Sequence, residues 1–124
     1  MYYEKLALEV GATVAGLDVV KPAVVRGESG VEQRFTFVAR DGPETYAFDV
    51  CNEVGEAEII RAYVKKMDTG ARVYVVCLSG RPKERAKEMA RSYEIDVLSP
   101  MEVGDFFSRR ITQFINSRTI RAGV

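Results

Sequence analysis

The chain has 124 residues, enough for one domain with a real core and too few for two. Its 18 basic and 18 acidic residues cancel, so net charge draws it neither to nucleic acid nor to an anionic membrane. It contains no histidine, which removes the commonest general base, the commonest zinc ligand and every histidine-containing triad.

In chain order, residues 2–10 read as a short helix, because Tyr3, Leu6, Ala7 and Val10 fall at i, i+3, i+4 and i+7; Gly11 is its expected stop. Residues 17–26 are rich in valine and read as strand, with Pro22 marking an edge, a bulge or a break. Residues 27–30 form a loop with two glycines. A phosphate cradle is one reading of such a loop, but the spacing matches neither the Walker nor the dinucleotide pattern, so a plain turn is expected.

Residues 31–40 alternate. Val31, Gln33, Phe35, Phe37 and Ala39 share one parity, and Glu32, Arg34, Thr36, Val38 and Arg40 the other. Asp41-Gly42-Pro43 is turn chemistry, and residues 45–51 resume the strand, so an antiparallel hairpin is expected. Tyr46, Phe48 and Val50 face one way; Thr45, Ala47, Asp49 and Cys51 face the other.

Asn52 is the expected cap of a helix over residues 53–68, with Ile60, Tyr63, Val64 and Met67 as its buried stripe and Asp68-Thr69-Gly70 as its end. Residues 72–78 (RVYVVCL) are a near-continuous apolar run, as in a strand covered on both faces. Strand, helix and strand at this length imply a parallel pair. Ser79-Gly80-Arg81-Pro82 opens another helix, whose buried face is Ala86, Met89, Ala90 and Tyr93. Residues 95–98 are a short strand. Ser99-Pro100-Met101-Glu102 is a capping box, and the last helix carries Val103, Phe106, Phe107, Ile111, Phe114 and Ile115 on its apolar side. A loose basic tail holding Arg118 and Arg121 is expected from about residue 117.

Three local features carry a family resemblance. The first is GESGVEQRFTFVA, residues 27–39; the second is Asp49-Val50-Cys51; the third is residues 73–98, running into YEIDVLS at 93–99. In this order they resemble the restriction-endonuclease-like core, the PD-(D/E)xK superfamily, and within it archaeal and type IV restriction members. The resemblance implies an α/β fold: a three-layer core with a mixed sheet of about five strands flanked by helices, in a single domain over residues 1–124. It also implies where a nuclease site would lie. An Asp usually stands at the position of Thr36, and the (D/E)-x-K strand would be Asp49-Val50-Cys51.

The departures from that pattern bear on activity. An active member presents two carboxylates to a divalent metal, usually Mg²⁺, and a lysine near the attacking water; Mg²⁺ needs hard oxygen ligands. Thr36 offers a neutral hydroxyl, Asp49 keeps the carboxylate, and Cys51 offers a thiol that cannot carry the lysine's charge. These three are therefore vestigial positions. Asp49 is a metal ligand only in the active alternative, with Glu32 as a stand-in; by strand parity Glu32 points to the Thr36 side, about 13 Å along the strand.

Cys51 and Cys77 fall near the ends of neighbouring strands, where a bond, a soft-metal site or two buried apolar thiols are all readings. The halves of the chain differ in charge: residues 1–60 hold 5 basic and 11 acidic residues, and residues 61–124 hold 13 and 7. Lys65, Lys66, Arg109 and Arg110 are the candidates for contact with a phosphate backbone, and equally for solvated helix faces. Only four residues are Asn or Gln, a composition that leans thermophilic.

The expected function is that of a non-catalytic nuclease-fold protein, a nucleic-acid-binding or structural module. The alternatives are a divergent metal-dependent nuclease using Asp49, and a dimeric structural subunit. The expected partners are DNA or RNA, a protein, or a second copy in a homodimer. No membrane is expected, since no apolar stretch is long enough to cross one and no secretory signal is read, so a cytoplasmic location is expected. No cofactor is expected, with Mg²⁺ entering only under the nuclease alternative.

Overall fold

A computed structural model describes residues 2–123, and side chains over residues 3–113. The order is α1 (Tyr2–Val14), β1 (Asp18–Val19), β2 (Val24–Arg26), β3 (Glu32–Arg34), β4 (Phe37–Asp41), β5 (Glu44–Cys51), α2 (Glu56–Thr69), β6 (Arg72–Cys77), α3 (Glu84–Ser92), β7 (Asp96–Leu98) and α4 (Pro100–Gly123). Five strands form one mixed sheet in the order β1-β4-β5-β6-β7, while β2 and β3 form a separate two-stranded ribbon. β4 pairs antiparallel with β1 and β5, and β6 pairs parallel with β5 and β7. Among the described residues no helix is long and apolar enough to cross a membrane.

Strand parity sorts the two cores. Phe37, Ala39, Tyr46, Phe48, Val50 and Val76 face α1 and α4, where Leu8, Ala12 and Phe107 meet them. Val38, Ala47, Val73, Val75 and Cys77 face the other way, towards Ile59 and Ala62 of α2 and Ala86 and Ala90 of α3. The result is a three-layer α/β sandwich with α1 and α4 on one face of the sheet and α2 and α3 on the other. The β4–β5 hairpin closes at Gly42-Pro43, with Asp41 opposite Glu44 and Gly42 at φ +59°. Full burial of Phe48 between α4 and the sheet is worth about 1.5–3 kcal/mol.

Several expectations are corrected. The alternating run over 31–40 is not one strand: its first part pairs with β2 and its second part joins the main sheet. Phe35, at the break, turns into the core beneath α2 and α3, opposite in face to Phe37. The run over 17–26 also divides, either side of Pro22. The first helix does not stop at Gly11. A Cβ there would lie 2.9 Å from Phe107 Cδ2, so Gly11 lets α4 pack closely, and the turn comes at Gly16 (φ +80°).

The second helix starts at Glu56 rather than after Asn52; Gly55 is its cap, and its N–H donates to Glu58 Oε1 at 2.7 Å. The third starts at Glu84, after Pro82. The capping box of α4 is as expected: Ser99 N–H donates to Glu102 Oε1 at 3.1 Å, and Glu102 N–H to Ser99 Oγ at 3.2 Å. Helix α4 runs to Gly123, over the positions where a loose basic tail is expected; the side chains of Phe114, Ile115, Arg118 and Arg121 lie outside the described residues.

Two apolar stripes are out of phase with the sequence reading. Tyr3, Leu6 and Val10 of α1 are exposed, and Leu8, Ala12 and Ala15 go inward instead. On α2, Ile60, Val64 and Met67 are 48%, 54% and 62% exposed, while Ile59 and Ala62 are buried. Both helices are apolar over more than one arc, so two phases satisfy the same spacing. The phase carrying alanines wins because a small residue lets the helix approach the sheet.

Candidate functional site

Asp49 lies on β5 with its side chain on the α2 face of the sheet, 19% exposed. Its Oδ1 accepts the Thr36 N–H at 3.2 Å, and its Oδ2 accepts from Lys65 Nζ at 2.9 Å. Lys65 comes from α2. It falls on the same inward arc as Ala62 and Thr69, which carries its ammonium under the sheet to 14% exposure. There it also donates to the Arg34 carbonyl and lies 4.7 Å from the centre of the Phe35 ring. An ammonium this far withdrawn from water needs pairing and hydrogen bonds, and Asp49, Arg34 and Phe35 together meet that need.

Thr36 sits at the break between β3 and β4, beside Asp49. Its N–H also donates to the Phe48 carbonyl at 3.0 Å, and its Oγ1 accepts the Val50 N–H at 3.0 Å. The hydroxyl thus completes the β4–β5 ladder where β4 begins. Cys51 ends β5, half-buried and directly across from Cys77 on β6. Both cysteines are free; Cys77 Sγ lies 3.1 Å from Ser79 Oγ. Burial pushes the Cys51 thiol up, and the negative charges of Asp49 and Glu58 add to it against Arg61.

The Mg²⁺ set of the nuclease alternative does not fit these residues. Thr36 and Asp49 are adjacent, but Asp49 is a single carboxylate with both oxygens already accepting, one of them from a fixed cation. Glu32 is exposed on the ribbon strand β3, opposite Arg26. The parity that would have pointed it to Thr36 is lost where the chain changes sheets. Among the described residues no three His, Cys, Asp or Glu side chains gather to hold a metal ion.

The basic candidates separate. Lys65 is held in the Asp49 pair. Lys66 donates to the Glu94 carbonyl at 2.7 Å, pinning the residue of positive φ that ends α3. Arg110 is held by Asp41 at 3.4 Å and by the Tyr46 hydroxyl, with its guanidinium 4.4 Å from the Tyr46 ring centre and 4.8 Å from that of Phe106. Of the four, Arg109 alone is exposed, on α4.

Sequence reasoning missed two relationships. One is the Asp49–Lys65 pair, whose only signal is that Lys65 shares a helical arc with Ala62. The other concerns the glycine loop. It holds an anion, but an internal one: Asp68, at the end of α2, accepts from Ser29 N–H at 2.8 Å, Ser29 Oγ at 2.8 Å and Gln33 Nε2 at 2.9 Å. A Cβ on Gly27 would lie 1.8 Å from Asp68 Oδ2, so the carboxylate fills the space a side chain would take. Together Lys65 and Asp68 fasten the β2–β3 ribbon to α2.

No family model matches the chain, and no curated protein does. Among solved structures, the crystal structure of AF1548, a protein of unknown function, is similar at TM-score 0.62 and 18% sequence identity, over 79% of this chain. The match spans 57% of AF1548, so this chain corresponds to little more than half of it. At that identity the likeness is one of fold: a mixed five-stranded α/β sheet flanked by helices.

Proposed function

We propose that the chain is a nuclease-fold module of the PD-(D/E)xK type that has exchanged metal chemistry for an internal ion pair and acts by binding, with nucleic acid as the first candidate ligand. The observation that carries this reading is the 2.9 Å contact of Lys65 Nζ with Asp49 Oδ2. The one carboxylate kept from the nuclease pattern is neutralised by a lysine from a different element. Position 51, where the pattern puts lysine, is a half-buried thiol. A cytoplasmic setting and an archaeal, thermophilic origin belong to the same proposal. Of the four basic candidates, Arg109 is the one left free to meet a phosphate backbone.

The test pairs two measurements. Calorimetric titration with Mg²⁺ and Mn²⁺, alongside cleavage assays on single- and double-stranded DNA, is expected to give neither site-stoichiometric heat nor turnover. Turnover that disappears in Asp49→Ala would replace this reading with that of a divergent nuclease. Oligonucleotide binding is expected to weaken steeply as salt rises, through counterion release, and to weaken further in Arg109→Glu.

A second reading, a homodimer or protein-bound subunit, is favoured by a separate observation. Ile60, Val64 and Met67 on α2 and Tyr93 beside them leave a contiguous apolar face uncovered.

A further inference from the structure

A cavity of about 380 Å³ lies at the β7 edge of the sheet, between Tyr74 and α4. Its aromatic wall is the end of a stack. Tyr74 lies on Phe48 with ring centres 5.0 Å apart and planes at 20°, and Phe106 braces it at 5.5 Å. The stack stops at Tyr74 because the residue across from it on β7 is Asp96. The ring is therefore held in place before any ligand arrives, so stacking on it carries no cost of ordering the side chain.

The opposite wall is polar. Asp105, Arg109 and Gln113, at i, i+4 and i+8, present one face of α4 to the cavity. Among the described residues no hydrogen bond or ion pair occupies these three side chains. Two other charged neighbours are already used: Glu102 caps α4, and Arg110 is tied to Asp41 and Tyr46. The lining carries two acids, Glu102 and Asp105, and two bases, Arg109 and Arg110, so its charges cancel, while an amide and a phenol add both donors and acceptors. Burial, with Asp96 adding to it, pushes the Tyr74 hydroxyl up and keeps it a donor at neutral pH.

A flat aromatic wall facing mixed donors and acceptors of zero net charge matches a planar, neutral, polar heterocycle. We infer that this cavity binds a nucleobase, stacked on Tyr74, with its polar edge met by Asp105, Arg109 and Gln113. The base can come from a free nucleoside or from a single strand that splays it out. For the strand form the inference rests on the nucleic-acid reading above; for the nucleoside form it does not.

The probe is 2-aminopurine riboside, whose fluorescence falls when it stacks. The expected result is saturable quenching that is the same at low and high salt, since no phosphate takes part. Tyr74→Leu should abolish it. Asp105→Ala with Gln113→Ala, both at exposed helix positions, should weaken it roughly tenfold, the equivalent of one contact of about 1.4 kcal/mol, with an unchanged melting temperature. Absent quenching, or quenching undiminished in that folded double variant, overturns the inference. A single-stranded oligonucleotide with one 2-aminopurine, and the same strand abasic there, separates the sources. Equal, salt-dependent binding of both strands would keep the nucleic-acid reading and remove the pocket. Nucleoside binding without strand binding would do the reverse.

Discussion

Lys65 Nζ and Asp49 Oδ2 are 2.9 Å apart across 16 residues of sequence, one on a helix and the other on the strand beneath it. The pair makes the thiol at position 51 intelligible. With an ammonium already neutralising the carboxylate, a second one on the same strand face would add an uncompensated positive charge beside it.

Removing one member should expose the cost of the other. Asp49→Ala strands a part-buried ammonium and should lower stability by about 1–3 kcal/mol; Lys65→Ala strands the carboxylate and should cost a similar amount. Asp49→Leu with Lys65→Met, which replaces the pair by apolar side chains, should cost clearly less than the two single losses together. The measurement is a denaturant midpoint for all the variants. Single effects that simply add would show the two groups to be independent, and the pair would then explain nothing about the site.

Introducing the nuclease pattern that the proposed function invokes tests the same region from the other side. Thr36→Asp breaks the hydroxyl's contact with the Val50 N–H and sets a second carboxylate beside Asp49. Cys51→Lys puts an ammonium where burial already disfavours a charged thiolate. In metal-free buffer the double variant should lose on the order of 1–3 kcal/mol. Added Mg²⁺ should recover part of the loss if the two carboxylates then share the ion. A double variant as stable as the parent without metal would mean that this face is well solvated.

The layers were legible because they rest on parity. Tyr46, Phe48 and Val50 against Ala47, Asp49 and Cys51 is a period of two, and nothing in the fold disturbs it. Parity failed where the chain changed sheets, between Arg34 and Phe37, since alternation carries no mark of which partner strand is chosen. Helix period failed on phase: Ile59 with Ala62 and Ile60 with Val64 are equally helical, and only the distance to the sheet decides between them. Thr36, Asp49 and Cys51 were located by their neighbours in sequence. Lys65 could not be, because its role depends on a helix rotation that the spacing alone leaves open.

That rotation leaves Ile60, Val64 and Met67 in solvent, which bears on self-association. Val64→Lys should change monomer stability by no more than about 0.5 kcal/mol, since the side chain is not part of the core. If two copies meet through this face, sedimentation should show a dimer in the parent and a monomer in Val64→Lys. A dimer that survives Val64→Lys together with Met67→Lys would move the interface elsewhere on the surface.

The glycine loop supplies the pH-dependent prediction. Gln33 Nε2, then the Ser29 N–H and Ser29 Oγ, hold the Asp68 carboxyl below its ordinary value of 3.8. A depressed folded value means that the clasp stabilises the fold above that ordinary value and is lost as pH falls through the lower, folded one. At neutral pH it is fully formed. The readout is the exchange protection factor of the Ser29 amide, which donates directly to Asp68 Oδ1. Protection should hold from neutral pH down to the ordinary carboxylate range and then collapse on further acidification. Asp68→Asn keeps the shape but not the charge, and should lower protection at neutral pH while flattening its pH dependence. Gly27→Ala, whose Cβ would overlap Asp68 Oδ2, should loosen the same loop and leave the Asp49–Lys65 pair intact. Protection of Ser29 that ignores both pH and Asp68→Asn would show that the β2–β3 ribbon is fastened to α2 by Lys65 on the Arg34 carbonyl and by the Glu28 N–H on the Asp68 backbone carbonyl, without the carboxylate.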